Sequence, residues 1–254
     1  MPLSTDVSAP PAWPAGVDRI VLAETDSTMA EAARRAPGLG GPAWILAIRQ
    51  TAGRGRRGRG WIDPPGNFAA TLSLPLQAPP AEAAQRSFVA GLALHDTLAL
   101  LGAGTGLQLK WPNDLLLNGG KLAGILLEAT GEGARTTRLA IGIGVNLCHV
   151  PPSLPGALRP VSLAGETAVR VAPELLLDHL APAVAAREAQ FRQCGFAPIR
   201  EEWLARAAGL GQRVTARLGQ DTHAGVFETL DATGALVLAT ARGRRVIPAG
   251  DVFL

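Results

Sequence analysis

Three apolar runs follow one another in residues 107–127, LQLKWPNDLLLNGGKLAGILL, and together they decide the fold class. The second and third runs, 115–117 and 122–127, flank the tripeptide Asn118-Gly119-Gly120. Because asparagine and glycine tolerate positive φ, this tripeptide predicts a tight turn between two antiparallel strands. A hairpin in this position argues against an all-parallel sheet.

The flanking sequence alternates between strand-like and helix-like segments. Strands are predicted at 19–23, 44–49, 67–76 and 138–147, and helices at 81–101, at 173–193 and around Trp203. One more helix should open at Ser27 or Thr28, because Glu31 follows Thr28 at the spacing of a capping box. This succession predicts an α+β fold, with a mixed β-sheet and helices packed on it.

The length of the chain and the changes in residue pattern along it predict three parts. With 254 residues the chain is longer than a single hydrophobic core comfortably supports. Residues 1–18 are rich in proline and alanine and are expected to form a flexible lead. Residues 19–209 should form the main domain. From 210 to 254 short alternating strands separated by turns predict a small C-terminal β-barrel.

Composition limits the classes of function. Hydrophobic residues make up 47% of the chain, which is enough for a folded core, and the formal net charge of +3 is too small for a nucleic-acid coat. The two cysteines, Cys148 and Cys194, cannot form a disulfide framework, so we expect a reducing cytoplasm. The N-terminus has neither a basic start nor an apolar run, so no signal peptide is expected. Prolines interrupt the longest uncharged stretch, so no membrane segment is expected.

A basic glycine loop occupies residues 53–60, GRGRRGRG, between two apolar strands. The loop contains four arginines, Arg54, Arg56, Arg57 and Arg59, whose charges repel one another unless an anion neutralises them. A guanidinium group forms bidentate hydrogen bonds to phosphate or carboxylate oxygens. A solvated loop or an RNA-binding segment is the alternative interpretation. The position between two strands favours a functional lid instead.

A second set of charged residues lies at the two ends of the predicted hairpin. Lys110 and Asp114 precede it, and Lys121 stands just inside an apolar strand, where a charged head is costly unless it meets an anion. A lysine that reaches water from a strand edge, and an aspartate that only closes a turn, are the alternatives. Gly124, Gly142 and Gly144 would let something approach the backbone closely.

Five segments of this chain resemble those of the biotin protein ligase family, in the same order and spacing. The segments are 24–28 (ETDST), 50–61 (QTAGRGRRGRGW), 110–114 (KWPND), 121–125 (KLAGI) and 142–146 (GIGVN). The resemblance runs from about residue 19 to the C-terminus. It implies the mixed sheet and C-terminal barrel already expected. Family members that act as repressors add an N-terminal helix-turn-helix domain, for which the residues before 19 leave no room, so no specific DNA partner is expected.

The resemblance also implies a reaction and a site. Biotin and ATP, with Mg²⁺, would form biotinyl-adenylate, and a lysine of a biotin carboxyl carrier protein would then take the biotin. Lys121, Arg54 and Arg56 match the catalytic positions: Lys121 between the biotin carboxylate and the α-phosphate, Arg54 on the carboxylate and Arg56 on the adenylate. The positions implied in ligand binding are Ser27, Thr28, Gln50, Gly53, Arg54, Arg56, Arg57, Trp61, Lys110, Asn113, Asp114, Lys121, Gly124 and Asn146.

Two departures from the family pattern and two rival functions stay open at this point. Met29 stands where the family often has asparagine, and Ala69-Ala70 replace a stretch that often carries an aromatic residue, which predicts a looser pocket wall. A lipoate or octanoyl protein ligase has a similar fold, and a nucleic-acid-binding protein could use the basic loop. The sequence leaves the magnesium ligands, the particular carrier protein and homodimer formation open.

Overall fold

A computed structural model describes residues 9–153, 158–218, 221–248 and 250–253 of the chain. The β-strands are β1 Asp18–Leu22, β2 Ala43–Ala47, β3 Phe68–Ala78, β4 Leu107–Lys110, β5 Asp114–Leu117, β6 Gly120–Glu132, β7 Arg135–Val145, β8 Arg213–Leu218, β9 Asp221–Leu230, β10 Leu236–Thr240, β11 Gly243–Ile247 and β12 Asp251–Phe253. The α-helices are α1 Thr28–Arg35, α2 Pro80–Ala84, α3 Arg86–Leu100, α4 Leu163–Thr167, α5 Pro173–Cys194 and α6 Phe196–Leu204.

The first seven strands form one mixed sheet in the order β1-β2-β3-β7-β6-β5-β4. Only β1 and β2 pair in parallel, and every other neighbouring pair in this sheet is antiparallel. Asn118 and Gly119 have φ of 50° and 77° and join β5 to β6. The α+β class, the mixed sheet and the hairpin predicted from the turn chemistry are therefore confirmed.

The two faces of this sheet carry different side chains, as β7 illustrates. Ile141, Ile143 and Val145 belong to the hydrophobic core, which also contains residues of α3, α5 and α6. Since successive side chains of a strand point to opposite faces, Gly142 and Gly144 lie on the other face, beside the start of α1. One face therefore packs against α3, α5 and α6, while the other carries α1 and a row of small residues.

A helix is present at each predicted position, and the short helix α4 was not predicted. The segment predicted as a single helix over 81–101 is divided at Gln85 into α2 and α3, although Gln85 keeps a right-handed helical backbone. Arg86, at the start of α3, is buried and pairs with Glu188 of α5 at 2.9 Å. No helix of the described residues is long and apolar enough to cross a membrane.

The C-terminal strands form an antiparallel sheet in the order β11-β10-β9-β8-β12. Within the described residues this sheet is open, with β11 and β12 at its edges, instead of the closed barrel expected from the sequence. Closure requires a matched stagger and tilt of all strands, and β12 has only three residues. The indole N–H of Trp111 donates to the Gly234 carbonyl at 3.0 Å and ties the two sheets together.

We retain 209/210 as the proposed boundary between the two units. At the other end of the chain, the predicted flexible lead lies partly outside the described residues. Within its described part, the Trp13 indole N–H donates to the Val17 carbonyl at 2.7 Å, and the Arg19 guanidinium lies over the Trp13 ring. Residues 13–17 thus contact the beginning of the folded region.

Candidate active site

A single cavity of about 220 Å³ collects most of the charged and hydroxyl-bearing residues singled out in the sequence. It lies on the glycine-bearing face of the seven-stranded sheet, between the start of α1, the basic loop and the β5–β6 hairpin. Its lining comprises Ser27, Thr28, Met29, Gln50, Arg54, Gly55, Arg56, Arg59, Gly60, Trp61, Ile62, Asn113, Asp114, Lys121, Gly124, Ile125, Leu126, Gly142, Ile143, Gly144, Pro151, Pro152, Leu158, Pro160 and Asp251.

Hydroxyl and amide groups form one end of this cavity. The Thr71 hydroxyl donates to the Thr28 hydroxyl at 2.9 Å, and the Thr28 hydroxyl and main-chain N–H donate to Gln50 Oε1 at 3.1 and 2.8 Å. The Ser27 hydroxyl is buried and has no hydrogen-bond partner within the described residues. A buried hydroxyl without a partner on a cavity wall is suited to bind a polar ligand atom.

The predicted capping box at the start of α1 is wrong. Ser27 is the N-cap residue by backbone position, but its hydroxyl makes no capping hydrogen bond. The Glu31 carboxylate bonds Arg34 and Arg35 at 2.6 Å each, instead of returning to the helix start. Two adjacent arginines offer this carboxylate charged donors, which bind it more strongly than a neutral backbone N–H. Because the Ser27 hydroxyl caps no main-chain N–H, it remains available to the cavity.

Glycines form the floor of the cavity, as their spacing in β7 predicted. A Cβ atom on Gly144 would lie 2.4 Å from the Trp61 ring, and one on Gly142 would lie 2.6 Å from the Met29 sulfur. Trp61 also covers Gly124, at 3.3 Å from the position of a Cβ atom there. Trp61 therefore packs directly against β6 and β7, and at Gly144 the separation is one that only glycine permits.

Of the residues that depart from the family pattern, Met29 and Ala69 lie on the cavity face of the sheet, and Ala70 lies on the opposite face. Met29 is buried and fills the space above Gly142, so the wall is closed by a thioether at this point. Ala70 belongs to the hydrophobic core and does not line the cavity, whereas Ala69 pairs with Gly144 and lies on the cavity side. Neither alanine is among the residues that line the cavity.

Lys110, Asp114 and Lys121 form what we call the hairpin corner. Lys121 Nζ lies 2.6 Å from one Asp114 carboxylate oxygen, and Lys110 Nζ lies 3.8 Å from the other. Burial lowers the pKa of Lys110, and the Asp114 charge opposes that shift. Asp114 is thus the shared counter-charge of two lysines, beyond any part it plays in the turn.

The basic loop, residues 53–60, closes on itself through a bridge between Arg54 and Gly60. Arg54 lies 3.6 Å from the Glu128 carboxylate, and Arg59 lies 2.9 Å from that of Asp251 in β12. Arg56 donates to the Asn113 side-chain oxygen at 3.0 Å and to the Gly250 carbonyl at 3.4 Å. The loop therefore lies over the cavity and reaches both sheets.

Comparison with known proteins places this chain in one family. Residues 21–146 match the Biotin/lipoate A/B protein ligase family, and residues 209–254 match the Biotin protein ligase C terminal domain. The chain is 56% identical over 237 residues to a biotin–[acetyl-CoA-carboxylase] ligase from Paracoccus denitrificans, across 92% of this chain and 99% of the relative. The chain belongs to the biotin protein ligase family.

Two further members of the biotin protein ligase family extend the comparison. A biotin–[acetyl-CoA-carboxylase] ligase from Mycobacterium tuberculosis is 36% identical over 91% of this chain and 87% of its own length. The structure of a biotin protein ligase from Aquifex aeolicus, described as a complex with biotin and ATP, superimposes with a TM-score of 0.76 at 25% identity. That match covers 93% of this chain and 97% of the other.

Some residues implied by resemblance to the biotin protein ligases lie outside the cavity lining. Lys110 is buried beneath it, in the hairpin corner. Asn146 is also buried, and its side-chain N–H donates to the Val161 carbonyl at 3.0 Å. Gly53 packs against the backbone behind Trp61, where a Cβ atom would lie 2.5 Å from the Trp61 carbonyl oxygen. The side chain of Arg57 lies outside the described part of the structure.

Sequence reasoning missed Asp251 and the proline-rich rim. Asp251 lines the cavity from the C-terminal sheet, 192 positions from its partner Arg59 in the chain. Pro151, Pro152 and Pro160 border the cavity from the segment that follows β7. No local motif distinguishes these residues, because their position depends on how the two sheets and the connecting segment pack.

Proposed function

We propose that this cavity performs both half-reactions of a biotin protein ligase. In the first, an oxygen of the biotin carboxylate attacks the α-phosphorus of ATP, the α–β phosphoanhydride bond breaks, and pyrophosphate leaves with biotinyl-5′-adenylate formed. In the second, a lysine amine of a biotin carboxyl carrier protein attacks the acyl carbon. AMP leaves, the amine loses a proton, and an amide bond remains.

The observation that carries this proposal is the division of the cavity into a neutral end and a cationic end. Ser27, Thr28 and Gln50 offer hydroxyl and amide groups, which suit the carbonyl and two N–H groups of a ureido ring. Lys121 and the loop arginines stand at the other end, where a carboxylate and a phosphate must meet. Between the two ends, Trp61 packs on the glycine floor and offers an apolar wall to the ligand.

The role proposed for Lys121 follows from electrostatics. Two anions repel each other as the carboxylate approaches the α-phosphate, so a fixed positive charge between them lowers the barrier. Asp114 holds the Lys121 ammonium at 2.6 Å, which keeps it in place within the hairpin corner. Arg54 would contact the carboxylate and Arg56 the adenylate, and the closed loop would shield the water-sensitive anhydride.

The residues of the cavity do not fit a resident magnesium ion. Within the described residues no group of three His, Cys, Asp or Glu side chains could hold a metal. The two carboxylates that line the cavity, Asp114 and Asp251, already pair with Lys121 and Arg59. We propose that Mg²⁺ enters as part of the ATP complex, held by phosphate oxygens and water, as this ion prefers.

We place the reaction in the cytoplasm, where the two free cysteines would persist.

Mass spectrometry of a carrier domain tests the proposed function. The chain, ATP and Mg²⁺ are incubated with the carrier and either biotin or lipoate, and a variant carrier with its acceptor lysine changed to arginine is the control. We expect ATP-dependent addition of one biotin to the lysine-bearing carrier alone. Addition of lipoate in preference to biotin would instead support the lipoate ligase alternative.

A further inference from the structure

Met29 lines the neutral end of the cavity, and the reaction described above gives its side chain no role. It directly follows Ser27 and Thr28 in the chain, and only 3% of the residue is exposed. Its sulfur fills the space above Gly142, 2.6 Å from where a Cβ atom would lie. Because the biotin protein ligase family often has asparagine at this position, the thioether is a feature of this chain's own pocket.

The pairing of the strands places Met29 beside the hydroxyl groups of the cavity. Gly142, on which the Met29 sulfur packs, pairs with Thr71 of β3. Directly opposite residues of antiparallel strands point to the same face of a sheet, so the Thr71 side chain stands next to Gly142 on the cavity face. The Thr71 hydroxyl donates to the Thr28 hydroxyl at 2.9 Å. Met29 therefore borders the part of the cavity that we assign to the ureido ring.

The cationic end of the cavity begins one step further along β7. Gly144 pairs with Gly124 of β6, and Lys121 Nζ lies 3.6 Å from the position of a Cβ atom on Gly124. The indole nitrogen of Trp61 lies over Gly144, 2.7 Å from the position of a Cβ atom there. Two residues of a strand span about 7 Å, so these polar groups are set apart from the floor beneath Met29.

The Met29 side chain offers no hydrogen-bond donor to a ligand. A thioether sulfur is a weak acceptor and donates nothing. The neighbouring Thr28 hydroxyl already donates to Gln50 Oε1 at 3.1 Å. The Ser27 hydroxyl and the Gln50 NH₂ group are the donors that we assign to the ureido ring. A ligand atom that lies against Met29 must therefore be one that needs no hydrogen bond.

Biotin meets this requirement through its second ring. A saturated ring with a thioether sulfur is fused to the ureido ring, so the two rings enter a pocket together. With the ureido ring on Ser27, Thr28 and Gln50, the sulfur ring reaches the floor beside them, where Met29 lies. Two thioether groups in contact gain dispersion energy and bury no strongly polar atom. An oxygen on the ring sulfur would instead be an acceptor buried without a donor, which is costly.

We propose that Met29 is a specificity-determining residue: it makes the pocket select biotin with an unoxidised ring sulfur and exclude the sulfoxide and the sulfone. The inference rests on the proposed function, because it takes the neutral end of the cavity as the site of the biotin rings. It extends that function from recognition of the ureido ring to the oxidation state of the neighbouring sulfur. An amide side chain at position 29 would offer the added oxygen a donor and relax this selection.

Isothermal titration with biotin and with biotin sulfone, in the absence of ATP, tests the proposal. The sulfone carries an oxygen on both faces of the ring sulfur, so one oxygen meets Met29 whichever face is turned toward it. The proteins are the wild type, Met29→Gln and the matched control Met29→Leu. Glutamine has an unbranched side chain of similar length to methionine and adds an NH₂ donor, whereas leucine has a similar volume and adds none.

The quantity compared is the ratio of the two dissociation constants, because a general disturbance of the pocket weakens the binding of both ligands. The wild type and Met29→Leu should bind the sulfone at least tenfold more weakly than biotin. In Met29→Gln this ratio should fall about fivefold, as expected for one ordinary hydrogen bond to a sulfone oxygen. Equal affinities of the wild type for the two ligands, or an unchanged ratio in Met29→Gln, would overturn the inference.

The same data distinguish the inference from the function on which it rests. If the wild type binds biotin and either of these two results is found, the role of Met29 is wrong and the ligase function stands. If the wild type binds neither ligand, the proposed function is wrong, and the role of Met29 falls with it. Thermal unfolding checks the fold of each variant, and Met29→Asn, with the same amide on a shorter side chain, replaces Met29→Gln if that protein is unfolded.

Discussion

The hairpin corner and the basic loop bring positive charge to the same cavity in different ways. In the corner, Lys121 and its partner Asp114 lie on adjacent, hydrogen-bonded strands, and the Asp114 side chain is only 13% exposed. In the loop, Arg54 and Arg59 are 47% and 61% exposed, and their partners Glu128 and Asp251 come from distant parts of the chain. The corner is a preorganised charge, whereas the loop charges depend on tertiary contacts.

This difference assigns a different step to each region. Charge that is fixed before the substrate arrives lowers a reaction barrier without further reorganisation, which suits the attack on the α-phosphate. Exposed, screened ion pairs contribute little to stability, so an anionic ligand can replace them at small cost. We therefore expect changes in the corner to slow the chemistry and changes in the loop to release the intermediate.

The largest effect is expected for Lys121→Ala in the corner. Loss of one transition-state contact should cost roughly 2.7–4 kcal/mol, or about 10²- to 10³-fold in the rate of adenylate formation. Biotin binding should persist, because the neutral end of the cavity is unchanged. Single-turnover pyrophosphate release measures the rate, and a thermal melt checks the fold. A wild-type rate from the folded variant would refute the role of Lys121.

A smaller loss is expected for Gly144→Ala on the cavity floor. The added Cβ atom would lie 2.4 Å from the Trp61 ring, so the ring must move away from the floor that the ligand shares with it. The KM for biotin should rise about tenfold, equal to about 1.4 kcal/mol, with less change in kcat. Gly38→Ala is the control, because nothing lies within 4 Å of its added atom. An unchanged KM in Gly144→Ala would mean that Trp61 does not border the bound biotin.

Arg56→Gly should expose the contrast between loop and corner. We expect adenylate formation to continue while the adenylate escapes, so that lysines of unrelated proteins become labelled. The assay combines the variant, biotin and ATP with a lysine-rich bystander protein, and Arg242→Gly, an exposed turn residue of the C-terminal sheet, is the control. If the bystander were labelled no more than by the wild type while carrier labelling persisted, Arg56 would not retain the intermediate.

The smallest effect is expected for the ion pair between Arg59 and Asp251. A double-mutant cycle with Arg59→Gln and Asp251→Asn, followed by urea unfolding, should give a coupling free energy below about 1 kcal/mol. The two side chains are 61% and 26% exposed, so water and salt screen the pair. A coupling well above that value would make the loop a rigid element like the corner, and the distinction between them would be lost.

The sequence predicted those parts of the fold and site that local chemistry determines. The turn at Asn118 and Gly119 depends on residues that accept positive φ, and the glycines of β7 alternate at the period of a strand. The capping box predicted at the start of α1 does not form, because Arg34 and Arg35 bind the Glu31 carboxylate.

Features set by tertiary packing could not be predicted. The position of Asp251 in the cavity depends on how the C-terminal sheet packs against the first sheet. The open form of that sheet depends on the pairing of the short strand β12 with β8 alone. Neither property leaves a periodic or motif-like signal in the residues concerned.

Pyrophosphate release in the absence of a carrier protein shows whether this cavity joins biotin to an adenylate. Excess ATP and Mg²⁺ are mixed with a known amount of the chain, with biotin, with lipoate or with neither, and pyrophosphate is followed in time without a carrier protein. With biotin, and not with lipoate, we expect a rapid burst of about one pyrophosphate per chain, followed by slow release as the retained adenylate blocks further turnover. No burst with biotin, or an equal burst with lipoate, would contradict this expectation.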